Sequence, residues 1–121
     1  MPHARRSPSG QSLGVVVAGL AIVRVRGASM EPTLHDGDLL LVRVGQPPVP
    51  GSLVVLKLPG RDGLAVKRVV RLEPEGWWVE RDNPREGVDS WIVGAISPTD
   101  VVAQVVQRVW PLRRIGRTPP L

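Results

Sequence analysis

The chain has 121 residues, enough for one domain with a core of its own, and a formal net charge of +5. It has no cysteine, which excludes disulfides, thiolate metal sites and a cysteine nucleophile. Residues 1–26 and 101–121 each carry four arginines and no acid, while residues 27–100 carry eight basic and eleven acidic side chains, so the charge reads as two solvated basic ends rather than one face built for nucleic acid.

Valine dominates the apolar residues, and 13 prolines and 13 glycines punctuate the chain, the pattern of a sheet protein with many turns. The apolar run at 13–23 is shorter than the roughly 20 residues a spanning helix needs. No small-x-small cleavage site follows it, so it predicts a buried strand. Residues 21–26 alternate toward a strand ending at Gly27. "SMEP" at 29–32 reads as a tight turn or one helical turn. Strands are then expected at 38–44, 53–58 and 64–72, with "PGRDG" as the hairpin turn before the third. "WWVE" at 77–80 starts another strand, residues 81–90 form a loop, and "WIVGAI" at 91–96 and "VVAQVVQRV" at 101–109 read as the last strands. The expected fold is mostly β with little helix, a single small domain of coiled antiparallel strands. Its divisions are a short apolar or flexible segment at 1–20, a β-domain at 21–111 and a basic tail at 112–121.

The chemistry of "RGASMEPTLHDGD", residues 26–38, turns on whether Ser29 is a nucleophile. The only histidines are His3, in the amino-terminal segment, and His35, six residues after Ser29. Neither suits a Ser-His-Asp triad. No carboxylate spacing matches a familiar zinc cage, and no glycine-rich phosphate loop is present. Among 14 arginines stand two lysines, Lys57 and Lys67. Arginine cannot lose its proton in a protein, whereas a desolvated lysine can. Lys67 shares a strand face with Ala65 and Val69, so burial would lower its pKa; Lys57, between Leu56 and Leu58, is the weaker rival. Composition alone favours a surface lysine whose stem lies along the sheet. Asp38 reads as a turn residue, Met30 as a core anchor, and Asp82 and Asp89 as residues that shape a loop.

"GASMEPTLHDGD", then "VKRVV", then "RDNPREGVDS", resembles the ordered motifs of the bacterial type I signal peptidase family of serine peptidases, over residues 23–111. The resemblance implies a serine–lysine dyad: Ser29 as nucleophile, its backbone N–H as oxyanion donor, and Lys67 as general base. Met30, Asp82, Asn83, Asp89 and Ser90 would support the site. Within the family, the short chain, the lack of a clear spanning helix and "GWWV" before "DNP" look most like the nickel-type superoxide dismutase maturation proteases. That likeness implies a serine endopeptidase that removes an amino-terminal leader from a precursor, here the nickel superoxide dismutase precursor. The stretch between "VKRVV" and "DNPREGVDS" is too short for the second domain that ordinary signal peptidases insert.

Four positions depart from the family pattern: Gly27 where some members place a hydroxyl, Gly51-Ser52 where many have Gly-Asp, Gly87 where a serine often bonds the lysine, and Trp91 where an arginine often follows Asp-Ser. The expected partner is a precursor bound as an added strand between the segment leading into Gly27 and the start of the Lys67 strand. No cofactor, metal or nucleic acid is called for, and membrane contact is allowed but not required of a protein expected in the cytoplasm. Alternatives are a general signal peptidase, a self-cleaving repressor-type peptidase, and a non-catalytic β-module that binds an anionic surface.

Overall fold

A computed structural model describes residues 14–112 and residue 115. Six antiparallel strands form one sheet: β1 (Leu20–Arg24), β2 (Leu39–Val44), β3 (Leu53–Leu56), β4 (Ala65–Glu73), β5 (Gly76–Glu80) and β6 (Val101–Trp110). Their order across the sheet is β1-β2-β6-β3-β4-β5. Helix is confined to α1 (Ser90–Val93) and a single 3-10 turn at Pro98–Asp100. The mostly-β expectation holds.

The valine-rich alternation explains where the core lies. On β1, Ala21 and Val23 are buried and Ile22 and Arg24 are exposed. β3 is buried on both faces, because an apolar cluster packs against each of them. Leu53 and Val55 join a cluster with Val23, Met30, Leu34 and Leu40. Val54 and Leu56 join another with Val69, Val79 and Ile96. Shifts in register between Leu39 and Leu40, Leu41 and Val42, Val55 and Leu56, and Val69 and Arg71 mark irregularities in the pairing. Such bulges bend a strand and strengthen its twist, which curls the sheet enough for the turn after β1 to meet β4.

Two sequence expectations are corrected. The run at 13–23 is not one buried strand: β1 begins at Leu20, and Val15, Val16 and Val17 are exposed. Positive φ angles at Ala18 and Gly19 turn the chain just before β1, so the apolar run is cut in two. Its first residue, Leu13, and the segment before it lie outside the described residues. "WIVGAI" is not a strand either. Asp89 caps α1, its Oδ1 accepting the Trp91 N–H at 3.1 Å. That side-chain cap offers the backbone a helical turn where apolar content alone suggested extension. Ile96 forms just one isolated bridge, to Trp77.

The charge reading is also revised. Arg108 is not part of a solvated basic end: it is buried and binds the buried Asp38 at 2.8 Å and the Thr33 carbonyl at 3.2 Å. Asp38 also accepts the His35 N–H at 2.9 Å, so the end of β6 is tied to the turn between β1 and β2. Arg113, Arg114 and Arg117 lie outside the described residues.

Candidate active site

Ser29 sits in the turn that leaves β1. The Glu31 N–H bonds the Ala28 carbonyl (3.1 Å) and the Leu34 N–H bonds the Met30 carbonyl (2.9 Å), which gives the turn its helical form. Met30 and Leu34 drop into the core and anchor it. Lys67 lies on β4, opposite Val54 of β3. It shares a face with the half-buried Ala65 and the fully buried Val69, and is itself 3% exposed. Although 38 positions apart, the two meet: Lys67 Nζ donates to Ser29 Oγ at 2.8 Å. Lys57 is exposed at the end of β3.

Burial is the main reason the Lys67 pKa falls from 10.5 to about 8. The nearby Asp89 and Asp82 carboxylates act in the other direction, and Arg81 adds to the lowering. At pH 7 about 10% of such an amine is neutral, against about 0.03% at the ordinary value.

The "DN" pair fastens the two sides of the site together. Asp82 takes a two-pronged contact from Arg68, at 2.9 Å from Nε and 2.8 Å from Nη2, and accepts the Thr33 hydroxyl at 2.6 Å. Arg68 neighbours Lys67 on β4, and Thr33 belongs to the Ser29 turn, so one carboxylate joins both. Asn83 donates its backbone N–H to the Ser29 carbonyl and its side-chain amide to the Ala28 carbonyl, each at 2.8 Å. The Asp82 N–H faces Met30 Sδ at 3.4 Å.

The "DS" pair acts on the other end of the loop. Asp89 Oδ2 accepts the Arg81 N–H at 3.0 Å, and Oδ1 lies 3.5 Å from the Arg81 guanidinium. Ser90 Oγ accepts the Val79 N–H at 2.9 Å, which docks α1 on β5. Asp82 and Asp89 thus both lie close enough to bias Lys67, while Asn83 holds the Ser29 turn and Ser90 is one step removed.

Sequence reasoning did not single out Arg81. Its guanidinium donates to the carbonyls of Gly87 and Pro84, both at 3.1 Å, and so holds the loop that covers Ser29. Nothing in the spacing separates it from the exposed Arg85 four residues on. The role of Gly87 also becomes visible. Its φ is +96°, and a Cβ there would lie 2.4 Å from the Ser29 Cβ. The position that carries a serine in many signal peptidases is here backbone packed against the Ser29 side chain.

A groove of about 150 Å³ opens beside the pair, between the exit of β1 at Val25 and Arg26 and the start of β4 at residues 64–67. The Ser29 N–H makes no hydrogen bond to protein among the described residues. No cluster of potential metal ligands occurs among them.

The sequence pattern of the family described as Peptidase S24-like matches residues 9–106. The chain belongs to that family. This peptidase is also 29% identical, over 120 residues, to the mitochondrial inner membrane protease subunit 1 of Xenopus tropicalis, across 78% of this chain and 72% of the relative. Both findings place it with the signal-peptidase-like proteases. Among its described residues, no helix is long and apolar enough to cross a membrane.

Proposed function

We propose that the protein is a serine endopeptidase with Ser29 as nucleophile and Lys67 as general base, and that it removes the amino-terminal leader of a precursor protein. The observation that carries this reading is the 2.8 Å contact between the Ser29 hydroxyl and a buried lysine whose pKa is lowered to about 8. A hydroxyl is a weak nucleophile until an adjacent base takes its proton, and a base acts best with a pKa near the working pH.

Neutral Lys67 accepts the Ser29 proton as Oγ bonds to the scissile carbonyl carbon. The carbonyl oxygen becomes an oxyanion beside the Ser29 N–H, which has no protein acceptor among the described residues. The C–N bond then breaks, and the Lys67 ammonium gives its proton to the leaving amine. Water, losing a proton to Lys67, adds to the acyl ester. Collapse releases a carboxylic acid, and Oγ regains a proton from Lys67. The groove between residues 25–26 and 64–67 suits an extended chain laid in as an added strand.

The substrate we infer is the nickel superoxide dismutase precursor, on the strength of the motif resemblance. The likeness to a mitochondrial inner membrane protease subunit favours one second reading, a leader peptidase of broader use acting at a membrane. Co-incubation with the nickel superoxide dismutase precursor, followed by mass measurement, tests the first. A single cut that frees the leader, absent with Ser29→Ala, is expected. An intact precursor, with cleavage of an unrelated leader-bearing protein, would move the assignment to the second.

A further inference from the structure

Arg68, Arg71, Arg81 and Arg108 all reach a carboxylate within 4 Å. Arg26 does not. It is exposed, it lines the groove beside Ser29, and it forms no hydrogen bond or ion pair through its side chain among the described residues. Asp36, whose Oδ1 accepts the adjacent Gly27 N–H at 2.7 Å, makes no ion pair with it. Residues 21–26 alternate between buried and exposed, so Arg24 and Arg26 share the outward face of the strand at the sheet edge, about 7 Å apart along the chain. Arg24 likewise binds no carboxylate among the described residues.

The groove mixes the apolar side chains of Val25, Met30, Leu64 and Val66 with the polar groups of Arg26, Ser29 and Lys67. The ionisable side chains that line it are Arg26 and Lys67, both basic, and no acid faces them from its walls. In a groove that takes a peptide, the side chain best suited to an unpaired guanidinium is a carboxylate, which it can grip with two parallel hydrogen bonds.

We propose that Arg26 is a specificity-determining residue, which pairs with an aspartate or glutamate side chain of the substrate within about three residues of the scissile bond. The inference rests on Ser29 marking the point of cleavage. Arg26 stands three residues before Ser29 across the bend at Gly27, so their backbones are at most about 11 Å apart, the length of about three residues of an extended substrate. Arg24, one pleat further out, extends the preference to a second acid beyond the first.

The test separates recognition from chemistry. Fluorescein-labelled alanine-rich nonapeptides carry Glu, Gln or Lys at each of the three positions on either side of a central Ala-Ala bond. Binding is read by anisotropy with the Ser29→Ala protein, and cleavage by kcat/KM with Ser29 intact. At one position or two, Glu is expected to outrank Lys by about 5–30-fold, as one charge-assisted pair allows. Arg26→Gln should shrink the ratio below about 2-fold, and Arg26→Glu should invert it. Selective binding without cleavage would uphold Arg26 and refute the dyad. Equal binding and cleavage of all peptides, or no binding of any, would overturn Arg26's role. So would unchanged peptide ranking in Arg26→Gln combined with weakened binding to phosphatidylglycerol vesicles, which would make this arginine a lipid contact.

Discussion

Gly87→Ser places a hydroxyl where many signal peptidases have one, and the structure says that this should fail. Two costs add. With φ at +96°, a residue bearing a Cβ is strained by about 1–2 kcal/mol. The new Cβ would also meet the Ser29 Cβ at 2.4 Å. The loop cannot simply retreat, because Arg81 holds the carbonyls of Gly87 and Pro84. Overpacking of this kind costs about 1–3 kcal/mol. Together about 2–5 kcal/mol should be lost, which lowers Tm by about 8–20 °C for a domain of this size. Ser29, the proposed nucleophile, is what gets pushed, and a displacement near 1 Å can cost about 100-fold in rate. Gly94→Ala is the control. Gly94 has φ +82° and nothing within 4 Å of its would-be Cβ, so it should lose stability by the strain alone and keep its cleavage rate. Melting curves and peptide cleavage by the three proteins decide the matter. Gly87→Ser with unchanged Tm and faster cleavage would refute the packing argument and show that Lys67 had lacked a hydroxyl to orient it.

Cleavage should rise with pH and level off above an apparent pKa of about 8 in kcat/KM; a profile already flat from pH 6 would reject Lys67 as the base. Stability should follow the same group. Its folded pKa lies below the unfolded one, so the cost of its buried charge is fully present below pH 8. Between pH 8 and 10.5 the unfolded state holds more protons, and stability should climb by about 3 kcal/mol. The chain has no Cys or Tyr and one other lysine, so little else titrates there. Lys67→Met should abolish cleavage, raise Tm at pH 7 and flatten that climb in urea titrations. Lys67→Arg should also be inactive, whereas Lys57→Arg should behave as the parent. Asp82→Asn breaks the contact joining Arg68 to Thr33 and should cost about 3–5 kcal/mol; an unchanged urea midpoint would mean the pair adds nothing.

The strands were legible because valine alternation and glycine–proline breaks are local signals. β2, β4 and β6 lie within a residue or two of their expected bounds. α1 was not legible, since six apolar residues have no period of their own, and what decides them is the Asp89 side chain capping from outside the run. The nearness of Ser29 and Lys67 could not be read from a separation of 38 positions. The motif resemblance raised it, and a physical reason to examine Lys67 came from its neighbours Ala65 and Val69. Arg81 and Arg108 looked like ordinary surface cations, because the carboxylates they meet are eight and 70 positions away. In the sequence Gly87 reads as a missing hydroxyl, whereas a positive φ and the closeness of Ser29 make it a position with no room for a side chain.

The strand order has a bearing on when the protein can act during its own synthesis. β1 and β2 carry the Ser29 turn, and β3, β4 and β5 carry Lys67; each group pairs in chain order. In the hydrogen-bonded sheet the groups are joined through β6, the last of the described strands, which slots between β2 and β3. A ribosome-bound chain lacking β6 holds Ser29 and Lys67 on two groups that no strand pairing joins, leaving the contacts of Asp82 and Asn83 to hold them together. Long-range closure of this kind is slow compared with local pairing. For the proposed dyad, this means that Ser29 and Lys67 come into full register only once β6 has emerged and paired with both halves.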